Sequence, residues 1–554
     1  LANDPVAAAA AALLDGRIVA VKGIGGFHLA CRADDEEVVS RLRARKRREE
    51  KPFAVMVPDL AVARALVSLS PAEEEVLGGR ERPILLARRR PDAPVAPSVA
   101  PRSADLGVML PYSPLHHLLL DDAGIPLVMT SGNLSDEPIA HRDDDALARL
   151  GPIADLLLLH DRPIQTRVDD SVVRALPGRR PLLMRRSRGW VPGSLGLPVP
   201  AARPLLACGA ELKSTVCVAK GDRAWVGHHI GDLEDWETLR AFRESVDHLE
   251  RLFAVAPEVV AHDLHPSYLS TAFALEREGV ETLAVQHHHA HLAACLAEWG
   301  ETGPAVGAIL DGTGYGADGT IWGGEILVGD LREARRVAHL RPVRLPGGEA
   351  AIREPWRMAC AWLAEASGEE EPAIPAALDG RVAPATWRAV ARLARADRSP
   401  VTTSAGRLFD AVAAICGLRA QVTYEGQAAI ELEAACDPAE HSAYPMDGLD
   451  PGEAVLAAAR ELAGGIAVGV VAARFHEGLA AAVAEACARA AADAETDRVV
   501  LSGGVFQNRR LVIAAARRLE RAGLRVLVPE LLPPNDGGIS YGQAAVAAAR
   551  APGY

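Results

Sequence analysis

Val285 to Ala293 read VQHHHAHLA, which places four of the chain's 17 histidines within five positions. An apparent strand, Thr282 to Gln286, leads into them, and an alanine- and leucine-rich helix follows to about Glu298. On that helix His287 and His291 stand at i and i+4, so both imidazoles leave one face and can chelate one ion, while His288 and His289 point elsewhere. Two neutral imidazoles need anionic partners to hold a divalent metal firmly. The candidates are aspartates at strand ends flanked by glycine: Asp311 in LDGTGYG and Asp536 in PNDGGISYG. An isolated H-x-x-x-H is more often a surface cluster at a helix start. Its company of glycine-flanked aspartates reverses that preference.

Three further segments place glycine where a strand gives way to a turn: Ala207 to Lys213 (ACGAELK), Leu310 to Gly316 (LDGTGYG) and Leu501 to Asn508 (LSGGVFQN). Glycine lets backbone N–H groups approach phosphate oxygens or an adenine face closely. None matches G-x-x-x-x-G-K-[ST], and each alone reads equally as a plain turn. SAGRLFD (Ser404 to Asp410) and YEGQAAIE (Tyr424 to Glu431) offer acids for ribose hydroxyls, with helix capping and ordinary solvation as the alternative. Strands near Leu205–Cys208, Val216–Ala219, Ala305–Asp311, Val499–Leu501 and Arg525–Val528 alternate with long helices such as Trp236–Phe253 and Phe475–Ala492.

Further toward the N-terminus, Gly189 to Pro204 (GWVPGSLGLPVPAARP) carries four prolines and three glycines, too many for a helix or a central strand, so a domain boundary is expected there. Before it, strands at Ile18–Lys22, Phe53–Val57, Pro83–Ala87, Leu127–Thr130 and Ser171–Ala175 alternate with helices at Asp35–Lys46 and Ala61–Val67. Both parts are therefore expected to be α/β, over residues 1–195 and 203–554. Charge changes at the same place: the net charge of −13 divides into +1 over residues 1–200 and −14 over the rest. An acidic chain argues against broad nucleic-acid binding, which needs a basic surface to neutralise phosphates. At 554 residues and 49% hydrophobic, the chain has the composition of an ordinary multi-domain globular protein. No apolar run reaches the ~18 to 20 residues that span a bilayer, and the eight cysteines include no C-x-x-C pair. A cytoplasmic protein in a reducing compartment is expected, with no membrane association.

These motifs carry a resemblance. The His287/His291 pair, LDGTGYGADGTIWGGE, SAGRLFDA, LSGGVFQN and NDGGISYGQ resemble, in order, the TsaD-like branch of the actin-like (ASKHA) superfamily, a two-lobed fold, over about residues 203–550. VKGIGGFHLAC, RKRREEKPFAVM, TSGNLSDEPI, DDSVVR and RRSRGWVP resemble a YrdC-type domain. That order of domains, with KGIGGFHLAC, HIGDLED, HDLHPSYLST, VQHHHAH and REPWRMA, is similar to the HypF family of hydrogenase-maturation carbamoyltransferases. That family usually begins with an acylphosphatase domain and two zinc-finger modules, which this sequence does not contain, so a fragment is expected. Lys22, Gly23 and His28 stand where free-standing YrdC proteins have a threonine-rich loop.

The resemblance implies two half-reactions. In the first domain ATP, as its magnesium complex, and carbamate derived from carbamoyl phosphate would give carbamoyl-adenylate and pyrophosphate. In the second the carbamoyl group would pass to the C-terminal cysteine of the partner HypE, on the way to a cyanide ligand. Lys46, Arg48 and Lys51, with Arg186 and Arg188, would stabilise the departing pyrophosphate, although such a basic run is usually a solvated helix face. Lys22 with the Gly23–Gly26 backbone would bind the carbamate oxygens. Ser131, Asn133 and Ser135 would hold the adenylate, a stretch that reads equally as turn and helix cap. In the second domain His287, His291, Asp311 and Asp536 would hold one divalent metal, which nitrogen and oxygen ligands alone leave as iron, zinc or manganese and the resemblance turns toward iron. Gly503, Gly504 and Asn508 would line the adenosine site, with Asp410 and Glu425 near the ribose. The competing readings are a threonylcarbamoyl-adenylate enzyme of tRNA modification, an antibiotic O-carbamoyltransferase and a non-enzymatic actin-like scaffold.

Overall fold

The computed structural model describes residues 3–135 and 137–550, so Asp136 of the TSGNLSDEPI stretch lies outside the described residues. The chain forms two compact units. The first reaches to Ser194 and also takes in Glu211–Val216 and Trp225–Ala254; the second comprises Leu195–Ala210, Cys217–Ala224 and the chain from Val255 onward.

The first unit is built on a mixed sheet. Its strands run, in spatial order, Leu182–Arg185, Val172–Arg174, Ile84–Arg89, Asp105–Met109, Ala54–Met56, Leu127–Ser131, Phe27–Arg32, Val19–Lys22 and Leu156–Leu158. Both faces are covered, with Phe27, Leu29, Val55 and Val128 in one apolar cluster and Val21, Ala30, Met56 and Met129 in another. That explains why the strands read as apolar runs rather than alternating ones. The helix Glu36–Lys46 shows how local sequence sets an end. Asp35 accepts the N–H groups of Glu37 and Val38 at 3.0 and 3.2 Å, acids fill the first turn and bases the last, and Arg47 leaves in the left-handed conformation. A cap of this kind is worth ~1 kcal/mol, and the charges complement the helix dipole.

The second unit contains a four-stranded sheet ordered Cys217–Val226, Leu195–Ala207, Val259–Asp263, Glu281–Val285. Its larger sheet is ordered Val343–Arg344, Val401–Thr402, Ile321–Gly329, Ala305–Tyr315, Arg498–Ser502, Arg525–Leu527, with Ala334–His339 added beside Ile321–Gly329. The fold is α/β in both units.

The proline-rich stretch before Pro204 holds neither helix nor central strand, as expected, but it does form an edge: Leu195–Ala207 is a single 13-residue strand through Pro198, Pro200 and Pro204. Its proline-bearing part pairs only with Cys217–Val226, and the register slips between Gly196 and Ala201 and again before Leu205. Pairing on the other side, to Val259–Ala261, starts only at Leu205. Proline is tolerated because those N–H groups have no ladder partner to lose.

Candidate functional site

Gln286 caps the helix His287–Glu298, its side chain accepting from the His289 N–H at 2.9 Å, so the histidine run occupies the first turns of the helix. His287 and His291 are 0% and 1% exposed. The strand Ala305–Tyr315 brings in Asp311, and a short turn, Asp536–Gly538, at the head of the helix Ile539–Arg550 brings in Asp536. That helix lies hard against the histidine helix: a Cβ on Gly542 would come within 1.9 Å of the Ala290 carbonyl oxygen. Only glycine allows the approach.

The ligand-type atoms of His287, His291, Asp311 and Asp536 all lie within 4.8 Å of one another. His291 Nε2 is 3.0 Å from Asp311 Oδ2 and 3.7 Å from Asp536 Oδ1; His287 Nε2 is 3.7 Å from each of those carboxylates. The His287 Nε2 atom is buried with no hydrogen-bond partner among the described residues. Its other nitrogen, Nδ1, meets Asp263 Oδ2 at 2.7 Å. Asp263 ends the strand Val259–Asp263, is fully buried, and was not among the residues expected at the site. Its only signal was a strand-end acid in HDLHPSYLST. A carboxylate that fixes the ring and tautomer of a ligating histidine is a usual feature of metal centres.

Electrostatics bind the cluster together. Burial opposes protonation of His287, but the carboxylates of Asp263, Asp536 and Asp311 outweigh it and raise the imidazole well above its ordinary pKa. His291 is raised in the same way by Asp311 and Asp536. Burial pushes Asp536 up, yet His287 and its neighbours hold it at about 2. Asp311 is held well below the usual carboxylate range against burial by both histidines, and its Oδ1 accepts the Gly312 and Gly504 N–H groups at 2.8 and 3.2 Å. Two imidazoles and two carboxylates, with one bare buried nitrogen aimed between the acids, form a donor set that fits a divalent cation. Displacing the protons such a site otherwise holds is part of metal binding.

The other second-unit candidates fall into two groups. Gly503 (φ 96°) and Gly504 abut the cluster, since a Cβ would meet the Leu310 carbonyl oxygen at 2.3 Å or Asp311 Oδ1 at 2.9 Å. Ser404 ties the next motif in, its Oγ donating to the Gly312 carbonyl at 2.6 Å. Asn508 caps the helix Arg509–Arg521 through the Leu511 N–H and lies 2.8 Å from His476 Nε2. Asp410 is buried beside Arg407 at 2.8 Å, and burial pushes it up to about 6; Glu425 is exposed.

In the first unit the cations are engaged by protein groups. Lys46 is fully buried and so does not belong to a solvated helix face, and its Nζ donates to the Ser131 and Asn133 carbonyls at 2.7 and 2.6 Å and to Asn133 Oδ1. Ser131 Oγ donates to Asn133 Oδ1 at 2.7 Å, and the Ser135 N–H to the Lys46 carbonyl at 3.3 Å. Lys22 Nζ pairs with Asp143 at 2.7 Å and donates to the His160 carbonyl. Arg48 donates to the Lys51 and Pro52 carbonyls, Arg186 to those of Val226, Trp190 and Gly193, and Arg188 to those of Glu81 and Arg82 and to Asp170. Lys51 is exposed. Lys46, Ser131, Asn133 and Ser135 thus form one cluster; Lys22, Arg186 and Arg188 make their hydrogen bonds to groups outside it.

Comparison with known proteins decides the assignment. Residues 11–187 match the family model described as "Telomere recombination", residues 200–298 the "HypF Kae1-like domain", and residues 307–543 the "Carbamoyltransferase, Kae1-like Domain, second subdomain". The chain is 44% identical to Carbamoyltransferase HypF of Rhodobacter capsulatus over 566 residues, covering 99% of this chain and 74% of that one. The chain belongs to the HypF carbamoyltransferase family. A HypF2 carbamoyltransferase of Cupriavidus necator is 43% identical over 604 residues, again covering 99% and 74%. A full-length HypF crystal structure in a phosphate- and nucleotide-bound form superposes with TM-score 0.94 at 38% identity, covering 99% of this chain and 88% of that one. The fold is that of HypF, a YrdC-like domain followed by a Kae1-like domain, and the activity class is carbamoyltransferase. Among the described residues no helix is long and apolar enough to cross a membrane.

Proposed function

We propose that this carbamoyltransferase serves nickel–iron hydrogenase maturation: it forms carbamoyl-adenylate from ATP and carbamate, the latter derived from carbamoyl phosphate, and transfers the carbamoyl group to the C-terminal cysteine thiolate of HypE. The observation that carries the reading is the buried His287–His291–Asp311–Asp536 set with the Gly503–Gly504 loop against it, in a chain that also holds a YrdC-like unit.

In the first unit a carbamate oxygen attacks the α-phosphorus of ATP, and the bond to the β-bridging oxygen breaks to release pyrophosphate. Lys46 holds the Ser131–Asn133 turn in shape beside the reacting phosphate, and exposed Lys51 meets the leaving charge. In the second unit His287, His291, Asp311 and Asp536 would hold a divalent metal, with iron favoured. Bound there, the metal supplies Lewis-acid polarisation and a grip on phosphate oxygens. Asp263 holds the His287 ring in place, and the Gly503 and Gly504 backbone lets the adenylate come close to Asp311. The thiolate attacks the carbamoyl carbon, a C–S bond forms, and AMP leaves with the bonding pair of the broken acyl–oxygen bond. In this reading the acceptor thiol comes from the partner; burial pushes Cys31, Cys360, Cys416, Cys436 and Cys487 up to about 12, too high for those five to act as nucleophiles at neutral pH.

The test is to incubate the protein with ATP, carbamate and purified HypE and to read pyrophosphate release and the mass of the HypE C-terminal peptide. Both products are expected, each dependent on ATP. Pyrophosphate without a carbamoylated peptide would remove the acceptor assignment.

A further inference from the structure

Behind the Gly23–Gly26 turn lies a buried polar network that the half-reactions above do not use. His28, on the strand Phe27–Arg32, is 4% exposed and pairs across the sheet with Ser131, so it stands beside the Ser131–Asn133–Lys46 cluster. Its Nε2 faces two oxygens, Asp170 Oδ2 at 3.0 Å and Tyr112 Oη at 3.2 Å. Asp170 is held in turn by Arg188 Nε at 2.7 Å, and the Arg188 guanidinium lies 3.4 Å from the centre of the Tyr112 ring. Four separate stretches, KGIGGFHLAC, PYSPLHH, DDSVVR and RRSRGW, converge on this one imidazole.

The Asp170 carboxylate, which can only accept, fixes the tautomer at Nε2. In the neutral ring the proton sits on Nε2, and Nδ1 is left as a bare acceptor. That atom is buried and has no hydrogen-bond partner among the described residues. It faces the glycine turn: a Cβ on Gly23 would stand 3.0 Å from it, and Gly25 and Gly26 also lack room for a side chain. His116 packs edge-on against Tyr112 and His28, with ring centroids 4.6 and 5.7 Å away, and both its nitrogens are likewise unpartnered. A buried acceptor of fixed tautomer, bounded by backbone and adjoining the adenylate cluster, recognises an N–H group.

We infer that His28, oriented by Asp170 and Tyr112, is the specificity-determining residue of the adenylate-forming unit: its Nδ1 accepts an N–H of the carbamate amide and so selects carbamate over carboxylates of the same shape. The inference rests on the adenylate reading above. Acetate is the discriminating probe, since it matches carbamate in shape and charge but places a methyl where carbamate has its amide. A site built to hydrogen-bond an N–H rejects the analogue lacking it far more strongly than an apolar pocket rejects a size change.

The experiment measures ATP–pyrophosphate exchange by the full chain with carbamate and with acetate. Wild type is expected to prefer carbamate by ~10,000-fold in kcat/KM. In His28→Ala the preference should collapse to roughly fivefold or less through loss of carbamate turnover, with the KM for ATP unchanged. Asp170→Asn should act in the same direction, because an amide facing Nε2 no longer fixes the proton there. If His28→Ala does not fold, His28→Asn, which sets an oxygen near the Nδ1 position, should retain most of the preference, and His28→Gln should lose it. Equal preference in wild type and His28→Ala, or equal retention in the Asn and Gln variants, would overturn the inference. No carbamate-dependent exchange in wild type would overturn the adenylate reading itself, a result separable from a wild type that exchanges but gains nothing from His28.

Discussion

The histidine–aspartate cluster of the second unit and the basic residues of the first treat their charges in opposite ways. In the second, four ionisable side chains converge on one point and leave a nitrogen without a partner; in the first, Lys46, Arg48, Arg186 and Arg188 point their donors at backbone carbonyls of the same unit. A converging set with unmet bonding capacity is a site built around something else. A cation saturated by carbonyls is part of the scaffold and shapes the surface that others present. Both units carry motifs, so what separates site from scaffold is where each polar atom's hydrogen bonds go.

The largest expected effect falls on the cluster. Asp536→Ala should lower carbamoyl transfer to HypE by roughly a thousandfold or more, because it removes an anionic ligand, while pyrophosphate release stays within a factor of two. Comparable losses in both reactions would merge the two units' roles. Next is Lys46→Met, which strips a buried ammonium from three acceptors and should cost about 3 kcal/mol of stability, read as the midpoint of chemical unfolding. Lys51→Met, on the exposed side of the same run, should change stability by no more than about 0.5 kcal/mol. Equal destabilisation would contradict the contrast between buried scaffold and exposed ligand group. Asp263→Asn should weaken metal affinity by about 10- to 100-fold without abolishing it, as measured by titration with a competing chelator.

The cluster also responds to pH. His287 and His291 have folded pKa values raised above the ordinary value of 6.5, so in metal-free protein their stabilising share is full below about 6.5 and is lost as pH rises through the raised values. Asp536 works the other way, contributing above its ordinary 3.8 and losing that share as pH falls through about 2. The same protons compete with metal, so affinity should rise with pH, by up to about tenfold per unit for each proton displaced. A pH-independent affinity between 6 and 8 would mean that the ion binds elsewhere.

Most of this contrast was legible in the sequence where chemistry follows local periodicity. An i, i+4 histidine pair after a strand and aspartates beside glycines are short-range patterns, and the structure brings those four side chains together. Asp263 was not legible as an orienting group, because a lone strand-end acid has no periodic partner and its role depends on the pairing of Val259–Asp263 with Glu281–Val285. The Leu195–Ala207 strand escaped for a similar reason: prolines forbid a ladder on one edge only, and which edge is open is a property of the sheet. In the first unit the basic run announces charge but not burial, so Lys46 and Lys51 read alike although one is fully enclosed and the other exposed.

The division of labour is tested most directly by assaying His287→Ala for both half-reactions in one mixture of ATP, carbamate and HypE. Pyrophosphate release at the wild-type rate with no detectable carbamoylated cysteine is the predicted result. Carbamoylation at the wild-type rate would contradict it and remove the histidine–aspartate cluster from the transfer step.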